Sequence, residues 1–256
     1  MQETERGQRL QRNLETVHAT IAGACRRSGR DPADVRLVAV TKYAELETIQ
    51  VLLDAGVRDL GENRVQQLAR RADALGAAPA GLLGPAPSAL SVPRWHMIGH
   101  LQRNKVKALL GHTRIVHSLD SERLASELEK QAAKLDLTID AFLEVNVAGE
   151  QAKSGAPLAE AAPLAEAVGR YPHLRLHGLM TMPPFDPDPE AARPHFARLR
   201  ELRDELQRAG IAGPDCVHLS MGMTIDYAVA IEEGATFVRV GSALFNGIHD
   251  VCTAPR

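Results

Sequence analysis

The chain has 256 residues, room for one large domain or two small ones. Its 45% apolar and 24% charged residues describe an ordinary globular protein and exclude a disordered, collagenous or coiled-coil chain. Thirty Lys and Arg against 32 Asp and Glu leave a net charge of -2, which supplies no bulk pull toward nucleic acid or an acidic membrane. No run reaches the ~18 apolar residues of a membrane span, and the opening MQETERGQRLQR carries no secretory signal, so the expected location is cytoplasmic. Cys25, Cys216 and Cys252 are widely spaced and form no Cys-x-x-Cys pair. That pattern predicts reduced thiols, two of them packed in the core, and neither a disulfide framework nor a zinc site.

Leu10, Leu14, Val17, Ile21 and Cys25 recur at helical steps, and Gly29 with Asp31-Pro32 stops that helix. A β-branched run, Val35–Val40, reads as a strand covered on both faces, and a helix from about Glu45 to Ala55 follows it. Further apolar runs fall at Val57–Leu60, Trp95–Ile98, Arg114–His117, Ile139–Val147, Leu174–Met180, Cys216–Leu219 and Thr236–Val240, with helical patterns between them. Eight strands alternating with helices, in a chain near the ~250 residues typical of the fold, predict an α/β protein built as a single (β/α)8 TIM barrel with an extra N-terminal helix. An open doubly wound sheet ranks lower, because no Gly-x-Gly-x-x-Gly turn follows an early strand and no Walker loop occurs. The whole of 1–256 reads as that barrel. The uncharged stretch Gly76–Pro93 reads as a flexible insertion or lid, and 250–256 as a tail.

Barrel chemistry sits where strands end and βα loops begin. Those ends carry Thr41-Lys42, Gly61-Glu62-Asn63, His96 to His100, Ser118-Leu119-Asp120, Asn146, Met180-Thr181, Ser220 to Thr224, and Arg239 to Ser242. In the last two loops, Ser220-Met221-Gly222-Met223-Thr224 and Gly241-Ser242 combine glycines, hydroxyls and expected helix starts, the makings of a phosphate cradle. Helix capping by Ser220, Thr224 and Ser242 accounts for the same residues equally well. Lys42 directly follows an apolar strand, so its amine is either a solvated charge or a Schiff-base nucleophile at the barrel mouth. A lysine opposite a phosphate cradle suggests pyridoxal phosphate or a phosphorylated sugar aldehyde. Arg239, inward on the last strand, discriminates between them by offering a donor to a pyridine nitrogen, unless it pairs with a carboxylate such as Glu144. His96 and His100 lie four apart, but Gly99 at a strand end separates them, which argues against a metal site.

The segments LVAVTK (37–42), LGENRVQQ (60–67), WHMIGHLQRNK (95–105), SLDS (118–121), EVNVAGEQAKSG (144–155), HGLMTM (177–182) and LSMGMTIDYAVAIEEGATFVRVGSALF (219–245) resemble the pyridoxal phosphate homeostasis proteins in order and spacing. The resemblance implies a barrel similar to the cofactor domain of alanine racemase. It also implies pyridoxal 5'-phosphate bound through a lysine, a role in vitamin B6 homeostasis without established catalysis, transient recipient enzymes as partners, and a monomer. Residue by residue, it makes Lys42 the Schiff-base lysine, Arg239 the partner of the pyridine nitrogen, and Asn63 a neighbour of the cofactor. Ser220, Thr224, Gly241 and Ser242 become phosphate ligands, with Met221, Gly222 and Met223 as the wall. Lys153 matches a family signature, as a second reactive amine or a surface charge. Tyr43, Phe245-Asn246 and the Gly76–Pro93 stretch depart from the family pattern. An amino-acid racemase is the enzyme alternative. It needs two bases on opposite faces, and the sequence offers Lys42 but no clearly placed tyrosine and no second domain after the eighth strand.

Overall fold

The computed structural model describes residues 3–77, 81, 92–150 and 154–248. Most of the Gly76–Pro93 stretch, Lys153, Cys252 and the 250–256 tail lie outside these residues.

Among the described residues, nine strands form one parallel arrangement: β1 (Arg36–Val40), β2 (Asp59–Glu62), β3 (Arg94–Met97), β4 (Ile115–Leu119), β5 (Ile139–Asn146), β6 (Ala156–Pro157), β7 (Leu174–Met180), β8 (His218–Ser220) and β9 (Phe237–Val240). Pairing runs β1-β2-β3-β4-β5-β7-β8-β9 and returns from β9 to β1, closing an eight-stranded barrel. The two-residue β6 merely edges onto β5 at Val145 and Asn146. The helices are α1 (Glu3–Ser28), α2 (Leu46–Asp54), α3 (Val65–Leu75), α4 (Val106–Leu109), α5 (Glu122–Leu135), α6 (Ala161–Gly169), α7 (Arg193–Arg208) and α8 (Tyr227–Glu232). None is long and apolar enough to cross a membrane among the described residues.

The 3.6-residue period seen at Leu10–Cys25 is the buried stripe of α1. Gly29, at φ +67°, turns the chain out of that helix while Arg30 N–H donates to the Cys25 carbonyl at 2.9 Å, a glycine-terminated end. After β9 the chain makes only turns through 242–247 instead of the expected final short helix. Helix α1 packs against both α2 and α8, so it fills the outer ring beside β9. Asn13 Nδ2 ties it there by donating to the carbonyls of Leu244 and Asn246, each at 2.9 Å.

Two predicted strands sit two residues early. Val57 N–H closes the end of α2 by donating to Leu52 O, which delays β2 to Asp59. Cys216 and Val217 likewise lie in the turn before β8, and Gly213 O accepts from Cys216 N–H. The shift carries Glu62 and Ser220 from loop positions into the last pleat of their strands. Cys25 and Cys216 are both buried. The main core lies between barrel and helices, and a second cluster of Val38, Ile115, Phe142, Met180 and Phe237 packs the barrel interior.

Candidate functional site at the barrel mouth

The C-terminal ends of the strands enclose a cavity of about 530 Å³, within the range of cofactor pockets. Lys42, Asn63, Met223, Thr224, Arg239, Gly241 and Ser242 line it together, although they come from the ends of four strands and the loops that follow them. Ser220, Met221 and Gly222 do not. Ser220 and Met221 are fully buried beneath the lining. The Ser220 hydroxyl accepts from Arg239 Nη1 at 2.7 Å and lies 2.8 Å from His117 Nδ1. Its placement at the end of β8 thus turns it into the barrel and away from the expected phosphate loop. Gly222 acts through its backbone: at φ +90° an added Cβ would lie 2.5 Å from Ala230 Cβ, so only glycine brings α8 this close.

Lys42 is fixed at its main chain. Gln67 Nε2 donates to its carbonyl at 2.7 Å from α3, and Thr41 beside it donates to Glu62 Oε1 at 2.5 Å. Glu62 also takes the Arg71 guanidinium, which in turn donates to Ala44 O. This buried bracket spans both sides of Lys42. Burial raises the Glu62 carboxyl above its usual range, against the opposing pull of Arg71 and Thr41. The Lys42 ammonium lies 4.9 Å from the centre of the Tyr43 ring.

Arg239 is 3% exposed. Its Nη2 donates to Thr181 O at 2.9 Å, so with Ser220 two of its five N–H donors are engaged. The anticipated Glu144 partner is not in hydrogen-bond contact, since Glu144 Oε1 accepts from Ser154 at 2.5 Å instead. Burial lowers the guanidinium to about 10, with Glu144 and Asp226 acting through space in the opposite direction. It remains a cation at neutral pH.

Opposite, Met223 N–H donates to Asp226 Oδ1 at 2.6 Å and Ala243 N–H reaches Thr224 Oγ1 at 3.4 Å. The amides of Thr224, Ile225 and Ser242 find no acceptor among the described residues. These donors and the hydroxyls of Thr224 and Ser242 face one concavity. His96 and His100 part company: His96 lies inside the barrel and His100 lines the rim, 3.3 Å from Asp120. Met182, Pro184, Phe185 and Asp186 also line the cavity. The loop after β7 that supplies them has no charged residue before Asp186, so sequence chemistry gave no signal for it.

The fold is thus a closed parallel barrel that brings a lysine, a buried arginine and a set of amides and hydroxyls to one mouth. The profile of the family described as "Alanine racemase, N-terminal domain" matches residues 8–248. A pyridoxal phosphate homeostasis protein of Aquifex aeolicus is 42% identical over 239 residues, covering 93% of this chain and 96% of its own. A Bifidobacterium adolescentis protein of unknown function superposes with a TM-score of 0.84 at 36% identity, covering 96% of this chain and 98% of that one. The PipY protein of Synechococcus elongatus, solved with pyridoxal phosphate bound, gives 0.75 at 27% identity, covering 92% and 99%. The chain belongs to the alanine racemase N-terminal domain family and, within it, to the pyridoxal phosphate homeostasis proteins.

Proposed function

We propose that this protein holds pyridoxal 5'-phosphate as a Schiff base on Lys42 and hands it to recipient enzymes, a carrier in vitamin B6 homeostasis and not a catalyst of amino-acid turnover. One observation carries the reading: a single cavity joins a lysine amine, a buried guanidinium and a wall of unclaimed amides and hydroxyls. An aldehyde, a pyridine nitrogen and a phosphate require those three partners. When bound, the cofactor supplies an aldehyde that condenses with an amine, one water leaving as the C=N bond forms.

Lys42 offers that amine from a main chain clamped by Gln67 and Thr41. Thr224 and Ser242, with the free amides around them, hold the phosphate, and Gly241 and Gly222 let their loops close on it. Asn63 and Met223 flank the ring. Arg239 would be the donor to the ring nitrogen and, being a cation already, would keep that nitrogen unprotonated. A ring so held is a weak electron sink, which suits storage better than transamination. The names of the relatives point the same way, since they describe homeostasis and not a reaction.

The test is an absorbance titration of the purified protein with pyridoxal phosphate, beside Lys42→Ala, followed by incubation with L- and D-alanine. An imine band in the wild type alone, with no interconversion of alanine, is expected. An unchanged band in the variant abandons the Lys42 linkage. Turnover that disappears in the variant replaces the carrier with a racemase.

A further inference from the structure

Beneath the cavity a line of buried polar side chains crosses the barrel from its lower end to its mouth. At the foot, Arg94 grips Asp59 with two bonds, Nε to Oδ1 at 2.9 Å and Nη2 to Oδ2 at 3.0 Å. His96 Nε2 lies 2.9 Å from the same Oδ1, and His96 Nδ1 lies 2.9 Å from His117 Nε2. His117 Nδ1 meets the Ser220 hydroxyl, and that oxygen meets Arg239 Nη1. Both histidines are fully buried.

With both rings neutral, only one arrangement of protons satisfies all four contacts above Arg94. An ionised Asp59 accepts and does not donate, so His96 carries its proton on Nε2 and presents a bare Nδ1. His117 Nε2–H must donate to that nitrogen, which leaves His117 Nδ1 bare. Ser220 O–H must donate there, and its oxygen then accepts from Arg239. Reversing the direction needs a second proton on His96, because its Nε2–H is already given to Asp59 and its Nδ1 would then have to donate as well, and full burial opposes that charge. Asp59 is ionised throughout the neutral range: burial raises its carboxyl, but His96 and Arg94 outweigh this and hold it at about 2. Burial keeps His117 neutral, reinforced by His96 and Arg239, and burial does the same for His96 against the pull of Asp59.

We propose that Asp59, His96, His117 and Ser220 are positioning residues, a one-way hydrogen-bond relay that orients the Arg239 guanidinium toward the cofactor's ring nitrogen. The relay explains why Ser220 is turned away from the phosphate wall. It also explains two neutral histidines amid the apolar packing, His117 being stacked on Phe142 with ring centres 4.3 Å apart. Chains of this kind polarise each link in turn, so the carboxylate at the foot strengthens Ser220 as an acceptor for Arg239.

Two experiments test it. The first needs no cofactor: ¹⁵N NMR of the full unliganded chain at neutral pH, with His96 and His117 assigned by single substitution. Both should be neutral, each protonated on Nε2. A doubly protonated ring, or His117 protonated on Nδ1, overturns the relay. The second rests on the proposed function. It compares Ser220→Ala, His117→Phe and the double variant for binding of pyridoxal phosphate and of the analogue with C–H in place of the ring nitrogen. Each single variant should bind pyridoxal phosphate roughly tenfold more weakly, the double variant no worse, and analogue affinity should stay within about twofold. Equal losses for both ligands mean general damage to the site, and full affinity in His117→Phe means that the chain ends at Ser220. Either result refutes the proposal. If the wild type binds neither ligand, the function fails while the NMR result stands.

Discussion

Val38 and Arg239 are register partners across the seam where β1 meets β9. Lys42 leaves β1 four residues beyond Val38, and Arg239 stays one residue short of the end of β9. One residue therefore reaches the mouth from above the rim and the other from below it. Under the proposed function, that vertical offset lets the amine and the guanidinium address different atoms of the cofactor without competing for the same place.

Lys42→Ala should abolish the imine band yet leave the fold almost untouched. Among the described residues, the only ring contact of its ammonium is with Tyr43, at the cavity rim, worth about 0.5–1 kcal/mol. A change of thermal midpoint limited to a few degrees checks this, measured without cofactor.

Glu62→Ala should destabilise the protein by about 3–5 kcal/mol, since it strands the Arg71 guanidinium in a buried position. Urea denaturation measures the loss. Pairing it with Arg71→Met should recover much of it, because the uncompensated charge is then gone, while cofactor binding stays weakened by the loosened Lys42 segment.

Gly222→Ala should cost about 1–3 kcal/mol from the positive φ, with further overpacking against Ala230. Its signature is a joint loss of stability and of phosphate affinity, read by denaturation and by competition with inorganic phosphate.

Acid should weaken the fold below pH about 6.5. His96, His117 and His218 have folded-state values under their ordinary 6.5, so as pH falls the unfolded chain takes up protons that the folded chain refuses. Stability is full above that pH and drops by about 1.4 kcal/mol per unit for each histidine below it. The slope of denaturation free energy against pH between 6.5 and 5 measures their joint contribution, and His117→Phe should make it shallower.

The barrel was legible because its strands are continuous apolar runs separated by helical periods, and because α1 shows an uninterrupted stripe from Leu10 to Cys25. Lys42, Asn63, Thr224, Arg239 and Ser242 could be nominated from strand ends alone. Ser220 was misplaced for a definite reason: the end of β8 lies one residue later than expected, which moved it from loop to pleat, and alternation along the strand then decided where its hydroxyl points. His117 and Asp59 were invisible, since a buried polar residue in an apolar run reveals its partner only when distant strands close around it. The loop bearing Met182 and Phe185 gave no chemical pattern at all.

The most direct test of the central claim is borohydride reduction of the protein loaded with pyridoxal phosphate, followed by digestion and mass mapping of the modified lysine. A single phosphopyridoxyl adduct on Lys42, prevented by Lys42→Ala, is the predicted result. An adduct on another lysine, or none despite saturating cofactor, would contradict it.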